Sequence, residues 1–238
     1  MKTVLHKNSQ RGYADHGWLK ARHSFSFAGY YNPEKNHFGV LRVLNDDIVA
    51  AGMGFGLHPH DNMEIITIPL SGTLEHKDSM GNTGIISFGE VQVMSAGSGI
   101  SHSEFNHSKI QEVRLLQIWL FPNKKNVAPR YDQIQYQLKE MNNQWVQIVS
   151  PNPDDEGSWI HQDAWFHLGK FSKDAYSQYQ IKGEGNGLYI FVISGAIEVF
   201  DFKLESRDAL GVWEMAKIPF VVLEESLILI MDIPMDLE

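Results

Sequence analysis

The sequence contains no cysteine. Disulfide bonds, iron–sulfur clusters and thiolate zinc sites are therefore excluded, and so is catalysis by a thiol nucleophile. Any bound metal ion must take its ligands from histidine, carboxylate, amide or water. The lack of cysteine thus narrows the metal chemistry open to this chain before any motif is considered.

Long apolar runs and blocks of basic residues are also missing. No stretch of about 18 apolar residues occurs, so we expect no transmembrane helix. The start of the chain, Met1 to His6, lacks the apolar segment of a signal peptide, and we expect a cytoplasmic protein. The formal net charge is −9 without a cluster of Lys or Arg, which disfavours nonspecific binding to nucleic acid or to anionic membranes. A protein partner is compatible with this charge.

The chain has 238 residues, 43% of them hydrophobic, which suffices for one large domain or two of ordinary size. Its apolar stretches are short and rich in β-branched residues. In the first half they are Phe38–Leu44, Met63–Ile68, Ile85–Phe88, Val91–Met94 and Arg114–Leu120. Turn-forming residues between them include Asn45–Asp47 and Asp78–Asn82. Because we find no long amphipathic helix in residues 1–122, the sequence predicts an all-β sandwich or barrel.

Residues 122–163 interrupt the strand pattern. Several prolines and a dense run of Asn and Asp, above all in Asn152–Gly157, are typical of a connection between domains. We therefore expect a first domain over residues 1–130, a connecting segment over 131–163 and a second domain over 164–238.

A short pattern near Ser71 recurs in the second half. In both places an apolar run is followed by Ser-Gly, a small residue, an apolar residue and Glu, at Ser71–Glu75 and Ser194–Glu198. We interpret this recurrence as a sign of a duplicated domain. The predicted second domain holds a single histidine, His167, and no His-x-His, so we expect it to lack a metal site.

Two short pairs of metal-capable side chains are the strongest functional signal. His58 and His60 follow a glycine-rich stretch, and His102 and Glu104 follow a second one. On a β-strand, residues two apart face the same side. If the two strands lie next to each other in an antiparallel barrel, three imidazoles and one carboxylate converge. This donor set suits a borderline divalent metal, most simply Fe(II).

An isolated His-x-His is most often a surface pair, so the metal prediction depends on both pairs, their glycine-rich stretches and the strand pattern. The ligands must be neutral imidazole and ionised Glu104, and acid should therefore release the metal. Each ligand imidazole also needs a partner for its other ring nitrogen. The candidate partners, which the sequence does not rank, are Asp61, Asn62, Glu64, His76, Asp78, Ser101 and Ser103. The histidines expected to be surface or hydrogen-bonded polar residues are His6, His16, His37, His76 and His107.

These motifs resemble those of the pirin family of bicupins. The residues that match the first cupin motif are Gly52, His58, His60 and Glu64. The residues that match the second are Gly89, Gly97, His102 and Asn106. Three departures are themselves pirin-like: the closing Gly72 is one residue late, Ser95 stands in place of proline, and the gap from Gly97 to His102 is four residues instead of two. The similarity is strong over residues 10–132 and weak beyond them.

The resemblance implies an all-β fold of two tandem cupin barrels, each a double-stranded β-helix or jelly roll, with a metal site in the first barrel. It implies four metal ligands, His58, His60, His102 and Glu104, and it leaves Glu64 out of the ligand set. The implied cofactor is one divalent transition metal ion, most simply Fe(II), with Ni, Cu, Zn, Mn and Co as alternatives. The family also suggests a monomer.

Within the family, the sequence is most similar to bacterial pirin-like quercetinases. This similarity implies a metal-dependent dioxygenase that opens the ring of a flavonol such as quercetin with O2 and releases carbon monoxide. Glu104 is then the expected catalytic base for the flavonol hydroxyl. Phe25 and Phe27 either line the substrate pocket or pack in the core.

Two other functions stay open. Pirin-like proteins also act as iron-containing regulators that bind a protein partner, and the oxidation state of the metal then alters the surface. A storage or isomerase-type cupin fits the fold without further support from individual residues. An open apolar cavity above the metal favours the enzyme, whereas a closed metal cavity with a distinct charged face favours the regulator.

Overall fold

Nearly all regular structure in the chain is β-strand, as the computed structural model of residues 1–237 shows. The strands up to residue 135 are β1 (Lys2–His6), β2 (Gly12–Asp15), β3 (Leu19–His23), β4 (Leu41–Val49), β5 (Gly54–His60), β6 (Glu64–Ser71), β7 (Thr73–Asp78), β8 (Thr83–Ser87), β9 (Glu90–Ser95), β10 (Ile100–Asn106), β11 (Val113–Leu120) and β12 (Arg130–Gln135). The later strands are β13 (Val146–Ser150), β14 (Ser158–Trp159), β15 (Trp165–Phe171), β16 (Tyr176–Gln180), β17 (Asn186–Val199), β18 (Phe202–Glu205), β19 (Ala209–Trp213) and β20 (Lys217–Pro234). Helical structure in residues 1–237 is limited to two 3-10 turns, Asn8–Gln10 and Leu138–Met141. No helix in this range has the length and apolar character needed to cross a bilayer. The all-β prediction is confirmed.

The strands form three sheets. Two of them build the first barrel: a seven-stranded sheet in the order β12-β9-β6-β11-β4-β3-β2 and a four-stranded sheet in the order β5-β10-β7-β8. The third sheet builds the second barrel along the order β1-β19-β17-β20-β15-β13-β14, with β16 paired to β20 and β18 paired to β17. The four-stranded sheet of the first barrel carries both predicted ligand pairs, on β5 and β10.

Alternation along the strands decides which side chains face the interior of the first barrel. In β10 the buried residues are Ile100, His102, Glu104 and Asn106, and the residues between them are more exposed. Side chains two apart lie on one face of a strand, so this face of β10 is the interior one. The interior face thus carries polar groups that need partners or a metal.

The turn predicted at Asn45–Asp47 is wrong, because these three residues lie inside β4. Asn45 and Asp47 are 3% and 4% exposed, respectively. The prediction took their polarity as a sign of a surface turn, whereas tertiary structure buries both of them in a strand.

Several strands cross the predicted domain boundaries. The first strand, β1, pairs with β19 of the second barrel, although it opens the chain. Within the predicted connecting segment, β12 pairs with β9 of the first barrel. The other two strands of that segment, β13 and β14, belong to the sheet of the second barrel. The division into 1–130, 131–163 and 164–238 stays a prediction. The strands β1, β12 and β13 pair with strands on the other side of these predicted boundaries.

The two barrels share one apolar core. A single cluster of buried side chains contains Phe25, Leu44 and Leu116 from the first barrel together with Tyr189 and Met231 from the second. A separate cluster fills the second barrel, with Ile190, Leu210, Val212, Ile218 and Phe220 among its members. Burial of apolar area on both sides of the contact makes the two barrels energetically dependent on each other.

An ion cluster also joins the barrels. Asp46 Oδ2 lies 3.5 Å from Arg11 Nη1 and 3.2 Å from Arg207 Nε, which belongs to the second barrel. The Arg11 guanidinium also lies over the ring of Phe191, 5.3 Å from its centroid. Because Arg11 is buried, loss of Asp46 would leave its charge without a partner, at a large cost in stability.

Candidate metal centre

The structure brings His58, His60 and His102 together on neighbouring strands. β5 and β10 are antiparallel, with His58 opposite His102 and His60 opposite Ile100. The ring centroids lie 4.9 Å apart for His58 and His60, 4.5 Å for His58 and His102, and 4.9 Å for His60 and His102. One nitrogen from each ring lies within 4.8 Å of the others, which is the arrangement expected of three ligands of one ion.

A bulge in β5 orients the first of these rings. His102 pairs with His58, but Glu104 pairs with Phe55, so β5 has one residue more than β10 over this stretch. The extra residue brings the Gly56 carbonyl within 2.7 Å of His58 Nδ1. Because a carbonyl oxygen only accepts, Nδ1 carries the proton and donates, which leaves Nε2 free to coordinate. The bulge therefore fixes both the tautomer and the direction of His58.

The other two imidazoles have buried nitrogens without partners. Within residues 1–237, no hydrogen-bond partner reaches Nε2 of His60 or either nitrogen of His102. Burial, together with the neighbouring His58, lowers the pKa of His60 to about 4. Burial, together with His58 and His60, lowers the pKa of His102 to about 3. Neutral imidazoles with unsatisfied lone pairs fit a divalent cation, which would offset the cost of burying them.

Glu104 lies beside this group and is buried. Its Oε1 accepts a hydrogen bond from the Thr67 hydroxyl at 3.3 Å, and its Oε2 accepts one from Gln117 Nε2 at 2.9 Å. Burial raises the pKa of Glu104 to about 7, against the lowering effect of these hydrogen bonds. Among the described residues, its carboxylate oxygens group within 4.8 Å with His102 and His76, and the three-histidine group does not include it. His102 therefore joins two overlapping sets of ligand atoms.

His76 was expected to be a surface or hydrogen-bonded residue, and the structure places it in the interior. It lies on β7 opposite Glu104 and is 0% exposed. Its Nε2 donates to Asp78 Oδ2 at 3.3 Å, while its Nδ1 has no partner in the described part of the chain. The ring stacks on Tyr131 with centroids 4.6 Å apart. Sequence spacing gave no sign of this position, because it does not show that β7 lies next to β10.

Glu64 lies away from the three-histidine group. It is buried in β6, and its Oε2 accepts a hydrogen bond from the Ser95 hydroxyl at 2.7 Å. Burial raises its pKa to about 7. Glu64 is not part of either group of ligand atoms found within residues 1–237, in keeping with its exclusion from the predicted ligand set.

A cavity of about 270 Å³ opens beside the predicted ligands, between the four-stranded and the seven-stranded sheet. His58, His60 and Glu104 form one side of it. The aromatic and aliphatic residues around it are Leu19, Ala21, Phe27, Phe55 and Trp119, and the further polar ones are His23, Asn45, Asp47 and Gln117. An apolar chamber with a few converging polar groups is typical of a small-molecule site.

The two phenylalanines considered for the pocket have different positions. Phe27 lines the cavity and packs edge-on against Trp119, with ring centroids 5.3 Å apart. Phe25 instead belongs to the core shared by the barrels, where it contacts Tyr189 at a centroid distance of 5.8 Å. A second hollow of about 650 Å³ adjoins the first, shares Phe27 and Phe55 with it and extends past Tyr30. The two hollows therefore have part of their walls in common.

The chain is similar to known proteins over nearly its whole length. The family described as Pirin matches residues 4–120, and the family described as Quercetinase C-terminal cupin domain matches residues 147–233. The chain is 41% identical over 233 residues to the protein named quercetin 2,3-dioxygenase of Escherichia coli (strain K12), covering 97% of this chain and 98% of that protein. The chain belongs to the pirin family. A pirin-like protein of Caulobacter vibrioides is 39% identical over 222 residues, or 93% of this chain and 95% of that protein.

Solved structures of pirins agree with the fold. The crystal structure of YhhW from Escherichia coli superimposes with a TM-score of 0.93 at 40% identity and covers 98% of both chains. The structure of the same bacterial pirin in complex with nickel(II) gives a TM-score of 0.92 at 39% identity, covering 98% of this chain and 99% of that one. The predictions of the family and of two tandem cupin barrels are confirmed.

Proposed function

We propose that this pirin holds one divalent transition metal ion, Fe(II) in its active form, through His58, His60, His102 and Glu104. We further propose that it opens the ring of a flavonol such as quercetin with O2 and releases carbon monoxide. Support comes from the relatives named quercetin 2,3-dioxygenase, which match over nearly the whole chain. The family alone leaves a regulatory role open, so the site itself must favour one function over the other.

The observation that carries the proposal is the cavity beside the predicted ligands. A regulator that signals through its surface needs no chamber, whereas an enzyme must admit a substrate next to the metal. The chamber lined by Phe27, Phe55 and Trp119 offers flat apolar faces to an aromatic substrate. Its continuation toward Tyr30 provides the entry path. An open aromatic cavity therefore favours the dioxygenase over the regulator.

The residues of the chain divide the chemical work. The metal, when bound, supplies a Lewis acid for the substrate oxygen and an electron-transfer partner for O2. Glu104 acts as the base that takes the proton of the flavonol hydroxyl, since its carboxylate lines the cavity beside His58 and His60. Thr67 and Gln117 hold the Glu104 carboxylate in position through hydrogen bonds at 3.3 and 2.9 Å. The aromatic residues around the chamber exclude water from the reacting ring.

The identity of the metal is part of the proposal. Three imidazoles and a carboxylate also accept Ni, Cu, Zn, Mn or Co, and affinities generally favour Ni, Cu and Zn over Fe(II). The nickel(II) complex of the related YhhW shows that a pirin can be obtained with this metal. We therefore expect the metal found after purification to follow supply, and activity to be highest with iron.

Oxygen uptake with quercetin tests the proposal. Protein loaded anaerobically with each metal, with metal content measured on the same sample, is exposed to O2 in the presence of quercetin. We expect oxygen consumption and loss of the near-visible quercetin absorption with Fe(II). His102→Ala should keep its far-ultraviolet circular dichroism but lose metal and activity, whereas the exposed His37→Ala should keep both. Fully loaded protein that consumes no oxygen with any of the metals contradicts the dioxygenase and leaves the regulator.

The remaining predictions about the molecule concern its surroundings. A cytoplasmic location, a monomeric state, a protein partner for the regulatory alternative and the absence of direct nucleic-acid binding stay predictions. Quercetin-type flavonols and O2 are the proposed small molecules.

A further inference from the structure

The side of the cavity that faces the predicted metal ligands carries its own row of polar groups. The ligands come from the four-stranded sheet, whereas this row comes from β3, β4 and β11 of the seven-stranded sheet. Its members are His23, Asn45, Asp47 and Gln117. Polar groups that are buried in an otherwise apolar chamber need hydrogen-bond partners, either from the protein or from a ligand.

Three of the four polar groups are already engaged. His23 Nδ1 donates to Asn45 Oδ1 at 2.8 Å, which holds both side chains. Gln117 Nε2 donates to Glu104 at 2.9 Å, and Gln117 Oε1, at 3.2 Å from the Thr67 hydroxyl, shares its one proton with Glu104 Oε1. These groups are therefore hydrogen-bonded to each other, to Thr67 or to the predicted ligand Glu104.

Asp47 is the exception. It is 4% exposed, lines the cavity, and its Oδ1 has no hydrogen-bond partner within residues 1–237. An unsatisfied buried carboxyl costs free energy in the absence of a ligand and is stabilised when a ligand supplies the missing hydrogen bond. Its position in the middle of β4 keeps the side chain on the cavity face.

We propose that Asp47 is a substrate-binding residue whose carboxyl hydrogen-bonds a phenolic hydroxyl of a flat, hydroxylated aromatic ligand. This inference rests on the proposed function, since the same ligand presents its metal-binding oxygens to the opposite side of the chamber. Asp47 then favours flavonols that carry a further hydroxyl group, in addition to the oxygens that bind the metal. Phe27, Phe55 and Trp119 pack against the rings, while Asp47 sets their orientation.

The protonation of Asp47 agrees with a neutral ligand. Burial, together with the nearby Asp46 and Glu104, raises the pKa of Asp47 to about 8. A protonated carboxyl both donates and accepts a hydrogen bond, as a phenol does. The chamber therefore suits an uncharged polyphenol better than a cationic amine.

Two flavonols distinguish the effect of Asp47 from that of the metal. Quercetin and 3-hydroxyflavone both present the 3-hydroxyl and 4-carbonyl oxygens, but the second lacks every other hydroxyl. Dissociation constants are measured for both with the Ni(II)-loaded protein in the absence of O2. We expect the parent protein to bind quercetin about tenfold more tightly than 3-hydroxyflavone, the size of one buried hydrogen bond.

Substitutions at Asp47 should change one affinity and spare the other. Asp47→Leu should weaken quercetin binding roughly tenfold and leave 3-hydroxyflavone within about twofold, while Asp47→Asn, which keeps a donor and an acceptor, should restore most of the difference. Glu64→Gln is the matched control, because it removes another buried carboxyl of the same barrel outside the cavity. Nickel content and melting temperature are recorded for every variant.

The outcomes separate this inference from the proposed function. Equal affinity of the parent protein for the two flavonols overturns the role of Asp47 without any variant. Equal weakening of both ligands by Asp47→Leu overturns it as well, since the residue then only shapes the chamber. An Asp47-dependent preference in a protein that consumes no oxygen supports this inference and contradicts the proposed reaction.

Discussion

His6 is a buried histidine outside the proposed ligand set, and its neutrality contributes to the stability of the whole fold. Its Nδ1 and the Tyr189 hydroxyl share a 2.7 Å hydrogen bond across the contact between the barrels. Burial, together with the charges of Lys35 and Arg11, lowers the pKa of His6 to about 4. A histidine in this environment resists protonation in the folded state only.

This difference predicts a dependence of stability on pH. Below the unfolded-state pKa of about 6.5, the unfolded chain takes up a proton at His6 that the folded protein refuses, so the free energy of unfolding falls with pH down to about 4. Between pH 7 and pH 5 the loss from this residue is about 2 kcal/mol. Urea unfolding of the metal-free protein should show that His6→Gln loses less stability over this range than the parent protein.

The exposed His37 provides the control for this prediction. His37→Gln should follow the pH dependence of the parent protein, because its side chain lies at the surface. Parallel curves for the parent protein and His6→Gln would contradict the assignment of the acid-induced loss to His6.

At the level of single residues, the sequence was sufficient where spacing and strand period decide the position. The sequence predicts that His58 and His60 share one face of a strand, as do His102 and Glu104, because residues two apart do so. Their role as metal ligands stays a prediction. The positions of His76 and Asp47 were not predicted, because they depend on which strands become neighbours across the barrel. No spacing along the chain shows that β7 borders β10 or that β4 faces the predicted ligands.

At the level of strands, β5 is the element on which the proposed metal site depends most. It forms an edge of the four-stranded sheet and pairs with β10 alone, and its bulge brings the Gly56 carbonyl to His58. Two glycines of this strand differ in their surroundings. A Cβ at Gly54 would lie 2.2 Å from the Glu104 carbonyl oxygen, whereas a Cβ at Gly56 would meet nothing within 4 Å.

These surroundings predict opposite effects for two equal substitutions. Gly54→Ala should push β5 away from β10, lower stability by about 1–3 kcal/mol and weaken binding of Ni(II) or Zn(II). Gly56→Ala should leave stability within about 0.5 kcal/mol and metal binding unchanged. Thermal unfolding and metal titration on the two variants check this. Equal metal affinity in both would show that the β5–β10 pairing does not position the ligands.

The extent to which strands could be predicted has a similar physical limit. The apolar run Arg114–Leu120 falls within β11, and the run Met63–Ile68 begins one residue before β6, since their composition alone favours strands. The sequence predicts a turn at Asn45–Asp47, because a run of three polar residues usually lies at the surface. They lie in β4 instead, where the buried Asn45 and Asp47 line the cavity and the partly buried Asp46 contacts arginines of the ion cluster.

At the level of the whole molecule, the exchange of β1 makes the two barrels one folding unit. β1 covers the edge of β19, and its Val4 packs against the shared core while its Leu5 packs against the core of the second barrel. The pairing between opposite ends of the chain could not be predicted from composition, because nothing near Met1 distinguishes a strand of one barrel from a strand of the other.

Removal of residues 1–6 should therefore destabilise both barrels together. We expect a single calorimetric transition whose midpoint falls by roughly 10 °C, corresponding to about 3 kcal/mol of lost apolar burial and strand pairing. Lys2→Ala serves as the control, since the ion pair of Lys2 with Glu214 is exposed and should contribute little. Two resolved transitions, or an unchanged midpoint after the truncation, would show that the barrels unfold independently.

Asp46 and Asp47 are consecutive residues of β4 and point in opposite directions. One meets the arginines that tie the barrels together, and the other closes the far side of the chamber. The backbone of one strand, β4, therefore separates the ion cluster from the cavity. A change in the orientation of one barrel relative to the other would displace the strand that also contacts the ligand. The relative orientation of the barrels and the binding of the ligand are therefore coupled through β4.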